Sequence, residues 1–413
     1  MSETKKLSVK ENMIWNSIGS FLYLFSQWLL TIIIVHLSGY EDAGILSLAM
    51  SLTNMFYCIA IYGIRNYQVS DIKEKYTSDI YVTTRILTSG VAFFCCLIFV
   101  AVNGYPGKTF AAIIVYMVFK LSEAMVDVFH GIDQRLFRMD IIGKSFILRA
   151  VATFLAFTAG IYFTKSLVLA IIMMAVTAHL SVLFYDVPRS CNLEKFRINC
   201  SKVPIINLLA ECFPLVIYLF LSTTIGTIPR YFLEQFWGSE ILGIYASIAT
   251  PAVIVQVAAS YLFNPFVTVF AEKYYSKDFN GFMQLFKKCM IGIILLSVVC
   301  LAGAKIFGDF GLKLLFGKSI LEYSYLLIPV IICTILTALT WFLCTLLTVM
   351  HAFKGLLISN ILAVGVCAVL SVVLIPKCIM DGVNYAMIGS LSMGCLALLI
   401  FGMIHFENEK KEC

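Results

Sequence analysis

Between residues 108 and 130 an otherwise apolar run carries Lys120, Glu123 and Asp127, with Tyr116 one turn earlier. Spacings of three and four residues put these side chains on one face of a helix. Ionisable groups in such a run cost about 2.5–3.5 kcal/mol each on insertion scales, and they usually face a bundle interior or a watery cavity. That face can line a polar cavity in which Lys120 is the cation for an anionic ligand, with Glu123 or Asp127 carrying a coupling proton. The competing reading is a Lys120–Glu123 ion pair that neutralises itself and joins helices. Glu211, three residues before Pro214, is a further intramembrane acid. Arg65 and Arg149 stand at the ends of apolar runs, where they can meet a phosphate or anchor to lipid headgroups. Gln27, Asn54 and Gln256 are polar positions suited to a lumen or to interhelical hydrogen bonds.

The elements that must position these groups follow from composition. Of 413 residues, 61% are hydrophobic and 13% charged, against about 45–50% and about 25% in a soluble domain. A soluble enzyme, a disordered chain and a secreted disulfide scaffold are excluded. About 20 apolar residues span a bilayer as a helix, and nearly unbroken runs such as 29–35 and 291–301 exclude the alternation of a β-barrel. The expected fold is an all-α integral membrane bundle of about 12 transmembrane helices. The spans are placed near 14–37, 42–63, 80–102, 108–130, 142–163, 167–185, 205–228, 241–263, 288–307, 322–349, 356–375 and 384–405.

Placing the N-terminus in the cytoplasm puts lysine and arginine on cytoplasmic segments over outer loops by about three to one. Both termini are therefore expected inside, and the net charge of +6 is a topology signal rather than one for nucleic acid. The basic N-terminal tail followed by a long apolar run reads as an uncleaved first helix.

Two turns repeat. Gly39-Tyr40-Glu41-Asp42-Ala43-Gly44-Ile45 and Gly238-Ser239-Glu240-Ile241-Leu242-Gly243-Ile244 share the pattern G-x-E-x-x-G-I. Both fall on the outer side between spans of corresponding number, as in a parallel six-plus-six repeat of the transporter kind. The expected organisation is an N-tail over 1–13, an N-lobe over 14–185, a basic linker over 186–204, a C-lobe over 205–405 and a C-tail over 406–413. Pro214, Pro251 and Pro329 fall in second-half runs and are the hinge candidates, since proline bends helices.

Several chemistries are missing. Gly107-Lys108-Thr109, Gly143-Lys144-Ser145 and Gly317-Lys318-Ser319 lack the earlier glycine of a phosphate-binding loop, having Val102, Arg138 and Leu312 there. The fourteen cysteines form no C-x-x-C, and no histidine pair has ligand spacing. No cofactor or metal is expected, and no extramembrane catalytic domain fits between the spans.

The ensemble resembles the bacterial polysaccharide/O-antigen (Wzx-type) flippases of the multidrug/oligosaccharidyl-lipid/polysaccharide (MOP) exporter superfamily. The resemblance is carried by Trp15-Asn16-Ser17, the Gly39–Ile45 turn, the stretch from Gly63 through Arg65 to Asp71, Glu123-x-x-x-Asp127-x-x-x-Gly131-x-x-Gln134 with Arg138, Asp140 and Arg149, and the Gly238–Tyr245 turn. It covers nearly the whole chain. It implies two pseudo-symmetric six-helix lobes in a V around a cavity in the bacterial cytoplasmic (inner) membrane. It implies transfer of polyprenyl-pyrophosphate-linked oligosaccharide repeat units from the inner to the outer leaflet by alternating access, for cell-surface polysaccharide such as O-antigen or capsule. Membrane lipids and other polysaccharide-assembly proteins are the implied partners. Arg65, Lys120 and Arg149 are the positions onto which the family's basic cavity residues carry over. The rivals are a drug/cation antiporter of the same superfamily and a membrane-embedded glycan polymerase or transferase.

Overall fold

The computed structural model describes residues 8–71, 74–252 and 266–411, and all regular elements among them are helices. Gln256, and the second half of the span expected at 241–263, lie outside the described residues. The chain divides into two compact units, Met1–Phe220 and Leu221–Cys413.

In the first unit the order is α1 (Val9–Ser38), α2 (Tyr40–Ile61), α3 (Ile64–Ser70), α4 (Ser78–Val102), α5 (Gly107–Arg135), α6 (Met139–Thr164) and α7 (Leu167–Ser181). A π-helical turn, Val182–Asp186, leads into α8 (Val187–Leu193), and the first part of α9 (Lys202–Ala249) completes the unit. Helix α1 starts at a capping box. The Ser8 hydroxyl accepts from the Glu11 amide, and the Glu11 carboxylate accepts from the Ser8 amide at 3.0 Å. Helix α1 lies along α6 at a crossing of two glycines, Gly19 and Gly143, where a Cβ on Gly19 would stand 2.6 Å from the Gly143 backbone. Small residues of this kind let membrane helices approach closely without a hydrophobic drive between them. Helix α5 packs against α2, α3, α4, α6, α7 and α8, so it is the central post of the unit. Its lower half shares a core with Tyr81, Val182, Ile205 and Leu208.

The second unit holds the rest of α9, then α10 (Phe266–Tyr275), α11 (Phe279–Phe316), a 3₁₀ segment (Ser319–Leu326), α12 (Leu327–Val349) and α13 (Phe353–Lys411). Ten described helices are long and apolar enough to cross a membrane. Two of them, α9 with 48 residues and α13 with 59, are about 70–90 Å long at 1.5 Å per residue. A ~30 Å hydrocarbon core needs far less. Each breaks at one non-helical residue, Gly238 in α9 and Ile379 in α13. The two parts of α13 are each long enough to cross, and Gly238 ends the crossing that α9 makes from Lys202. About twelve crossings is the expected number.

Pro329 lies in the first turn of α12, where a missing amide costs nothing. The helix starts just before it, after the 3₁₀ segment, and is not interrupted by it. Pro214 lies within α9, which runs on through it, and Pro251 follows the end of α9.

The repeated turns share a backbone conformation. Gly39 has φ 91° and ψ −177°, and Gly238 has φ 82° and ψ 171°. That region is essentially restricted to glycine, which explains the first letter of both motifs. A Cβ at either glycine meets nothing within 4 Å, so replacement carries a backbone cost alone. Gly39→Ala and Gly238→Ala are each expected to destabilise the protein by about 1–3 kcal/mol, read as a lowered midpoint in thermal unfolding of the purified protein in detergent. An unchanged midpoint for both would show that these turns are not under conformational constraint.

Outside the spans, Asp71 ties down the start of α4. Its carboxylate accepts from the Lys75 and Tyr76 amides at 3.0 and 3.1 Å and from the Tyr81 hydroxyl at 2.9 Å. Partial burial pulls its pKa upward, but these donors outweigh that and hold it below the usual carboxylate value. A depressed folded-state pKa gives stability that is present above the unfolded value and lost as the pH falls through the folded one. Asp71→Ala should therefore lower the unfolding midpoint at pH 7, and the gap from wild type should close below about pH 4. A gap that is the same at both pH values would contradict this.

Candidate functional site

The polar face of α5 is longer than its charged core suggests. Tyr116, Lys120, Glu123, Asp127, His130 and Gln134 recur at alternating steps of four and three, forming one stripe along the central helix. Tyr23 of α1, Tyr57 of α2, Arg65 of α3 and Arg85 of α4 meet it.

At the upper station Lys120 Nζ donates to Glu123 Oε2 at 2.6 Å, and the Tyr23 hydroxyl from α1 donates to Glu123 Oε1. The ammonium also sits 4.9 Å from the centre of the Tyr57 ring on α2, within cation–π range. Lys120 thus has a carboxylate and an aromatic face as partners. Its side chain keeps 14% of its surface exposed.

Arg149 of α6 lies just beneath and is buried. Its Nη1 donates to the Ala178 carbonyl of α7 at 3.1 Å, and its Nη2 to Ser122 Oγ of α5 at 3.0 Å. It binds three helices together and acts on the Lys120–Glu123 station through its field. The headgroup-anchor alternative does not describe this buried position.

At the lower station Asp127 bridges two arginines. Arg85 Nη2 reaches Asp127 Oδ2 at 2.7 Å, and Arg65 Nη1 reaches Oδ1 at 3.4 Å. Arg65 also donates to Gln134 Oε1, from Nη2 at 2.8 Å and Nε at 3.2 Å. The backbone explains why Arg65 arrives there. Tyr62 and Gly63 are both left-handed (φ 50° and 66°), which ends α2 and turns α3 toward α5. The Ala60 carbonyl freed at that break is taken by Arg85 Nη1 at 2.7 Å and by Thr88 Oγ1 at 2.8 Å.

Sequence reasoning missed Arg85. Counted with the loop charges that set topology, it lies two turns inside α4 and is fully buried. With it, the middle of α5 gathers four cations, Lys120, Arg65, Arg85 and Arg149, around two carboxylates. Of the four, Lys120 and Arg65 keep part of their side chains exposed, Arg65 23%. An anion is the ligand this field favours.

Glu211 takes a different place. Its carboxylate pairs with Lys75 Nζ at 2.5 Å and accepts from the Tyr76 hydroxyl at 3.2 Å, both from the connection before α4. The structure therefore brings Lys120, Arg65, Arg149, Glu123 and Asp127 together along α5, while Glu211 joins α9 to that connection. Among the described residues no group of three His, Cys, Asp or Glu side chains is arranged to hold a metal ion.

Comparison with known structures gives the class of protein. An inward-facing multidrug resistance MATE family transporter of the MOP superfamily aligns with 97% of this chain and 99% of its own, at a TM-score of 0.71 and 12% identity. A MOP superfamily transporter from Pyrococcus furiosus, described as having a binding pocket of reverse polarity, aligns at 0.66 and 12% identity over 97% and 96%. The chain is a multi-pass membrane protein with the MOP transporter fold.

The sequence profile of the polysaccharide biosynthesis protein family matches residues 9–270, and the chain belongs to that family. Its similarity to the capsular polysaccharide biosynthesis protein CapF of Staphylococcus aureus is 24% identity over 326 residues, 77% of this chain and 80% of that protein.

Proposed function

We propose that this chain is a flippase that carries polyprenyl-pyrophosphate-linked oligosaccharide repeat units from the inner to the outer leaflet of the bacterial cytoplasmic membrane, by alternating access and for cell-surface polysaccharide. The observation that carries the reading is the set of four cations around Glu123 and Asp127 in the middle of α5, of which Lys120 and Arg65 keep part of their side chains exposed, in a chain of polysaccharide biosynthesis membership.

The physics suits that cargo. A pyrophosphate and its sugars cannot cross hydrocarbon unassisted, whereas the prenyl tail stays in lipid. Lys120 meets a phosphate oxygen as a point charge, and Arg65 can offer a bidentate fork once it exchanges its amide partner. Glu123 and the Tyr57 ring hold the ammonium in place between turnovers, so the unloaded site does not bear an unpaired charge. Transfer of anionic charge outward across an inside-negative potential releases about 2.3 kcal/mol per charge per 100 mV, which supplies a drive without nucleotide. Both termini lie in the cytoplasm in this reading, and the chain carries out transport rather than bond-making.

The direct test uses purified protein in vesicles with a fluorescent polyprenyl-pyrophosphate oligosaccharide and a quencher that cannot cross the bilayer. The expected result is quenching of the inner-leaflet share, which protein-free vesicles protect. Continued protection, together with uptake of a cationic dye in exchange for protons, would instead support a drug antiporter.

A further inference from the structure

The first unit also buries a set of titratable groups that the substrate site does not use. His130 and Asp133 lie one turn apart on α5, and Asp186 and Ser190 lie one turn apart across the junction of the π-helical turn with α8. The two pairs face each other. His130 Nε2 is 3.7 Å from Asp186 Oδ1, and the Ser190 hydroxyl donates to Asp133 Oδ1 at 3.0 Å. All four side chains are at most 1% exposed.

Both oxygens of Asp186, Oδ2 of Asp133 and Nε2 of His130 have no hydrogen-bond partner among the described residues. Three of the four groups therefore carry buried polar atoms without a partner. An ionised carboxylate that is buried without donors or a cation is costly, and a proton is what removes the charge. No metal-holding arrangement of three such groups exists among the described residues, so the fitting ligand is a proton.

The π-helical turn is a second, independent mark. Asp186 is its last residue, and such turns concentrate at functional positions. The charged and titratable neighbours are Arg65 and Asp127 toward His130, Arg138 and Asp140 toward Asp133, and Tyr185 with Arg189 beside Asp186. Packing joins the cluster to the substrate station. The His130 ring meets Phe146 edge-on at 4.9 Å, Phe146 stacks on Tyr23 at 5.5 Å, and Tyr23 holds Glu123.

We propose that His130, Asp133 and Asp186 form a buried proton-binding site, separate from the Lys120 station, which takes one proton from the aqueous phase at the α5–α6 end of the unit. The proton leaves hydronium as water and is held by the cluster, which passes from two negative charges to one. This holds whatever the cargo is.

The test is difference infrared spectroscopy of the full chain in lipid vesicles, stepped between about pH 8 and pH 5. The expected result is a protonated-carboxyl stretch that appears on acidification. It shifts when the wild-type protein carries isotope-labelled aspartate, a measurement that needs no variant. It is lost in Asp186→Asn, its pH midpoint moves in His130→Gln, and Glu123→Gln leaves it unchanged. Absence of any such band, a band unshifted by labelled aspartate, or a band lost only in Glu123→Gln would overturn the proposal. Loss of the band on adding sodium at constant pH would also overturn it, by making the site one for a metal cation.

Discussion

Lys120→Gln is expected to reduce flipping tenfold or more while the protein accumulates normally in the membrane. A hydrogen bond to a charged partner contributes about 1.5–3 kcal/mol, and each ~1.4 kcal/mol is a tenfold change. The single variant also leaves Glu123 facing Tyr23 with its counter-charge gone, so a fall in activity alone has two explanations. Lys120→Gln combined with Glu123→Gln separates them. If Lys120 only neutralises Glu123, the double variant recovers near wild-type transport, since the pair is replaced by two amides that can bond to each other. If the ammonium meets the phosphate, the double variant stays inactive. The account predicts the second outcome, measured in the quenching assay at matched protein level.

The largest expected loss of stability belongs to Arg85. It is fully buried, bonded to Asp127 and to the Ala60 carbonyl at the end of α2. Removing one member of a buried pair costs about 3–5 kcal/mol, and because Arg65 still faces the partly exposed Asp127 the lower end of that range is expected. Arg85→Met should therefore lower the unfolding midpoint sharply. Arg85→Lys should recover only part of it, since one ammonium cannot reproduce the planar fork that serves a carboxylate and a carbonyl at once. Pairing Arg85→Met with Asp127→Asn should restore much of the loss. A midpoint within experimental scatter of wild type for Arg85→Met would show that the arginine does not hold α2, α4 and α5 together.

How much of this was legible in the sequence depended on whether a residue had a bland alternative. Lys120, Glu123 and Asp127 stand in an apolar run, so their helical spacing exposed the stripe without any knowledge of the neighbours. Tyr23 and Tyr57 look like any aromatic in a span, and only the tertiary contacts make them partners of Glu123 and Lys120. Arg85 falls five residues inside the expected span 80–102, but it was counted with the cytoplasmic charges that set topology. A residue read as the end of a loop has a topological explanation, and the burial inside α4 cannot be seen from charge counting. The His130 cluster had no sequence signature, because its members are 56 residues apart and meet through a π-helical turn that no periodicity announces. The repeat was readable because glycine at Gly39 and Gly238 answers a backbone demand that leaves a letter in the sequence. The long α11, Phe279–Phe316, exceeds the expected 288–307 at both ends because helix continues past the apolar stretch that hydropathy detects.

Mass spectrometry of polyprenyl lipids in a strain lacking this gene tests the central claim most directly, with wild-type and Lys120→Gln copies returned to it. The account predicts that one discrete polyprenyl-pyrophosphate oligosaccharide accumulates in the deletion strain, disappears with the wild-type copy and persists with the variant. No accumulation, combined with raised sensitivity to cationic drugs that the wild-type copy relieves, would contradict it.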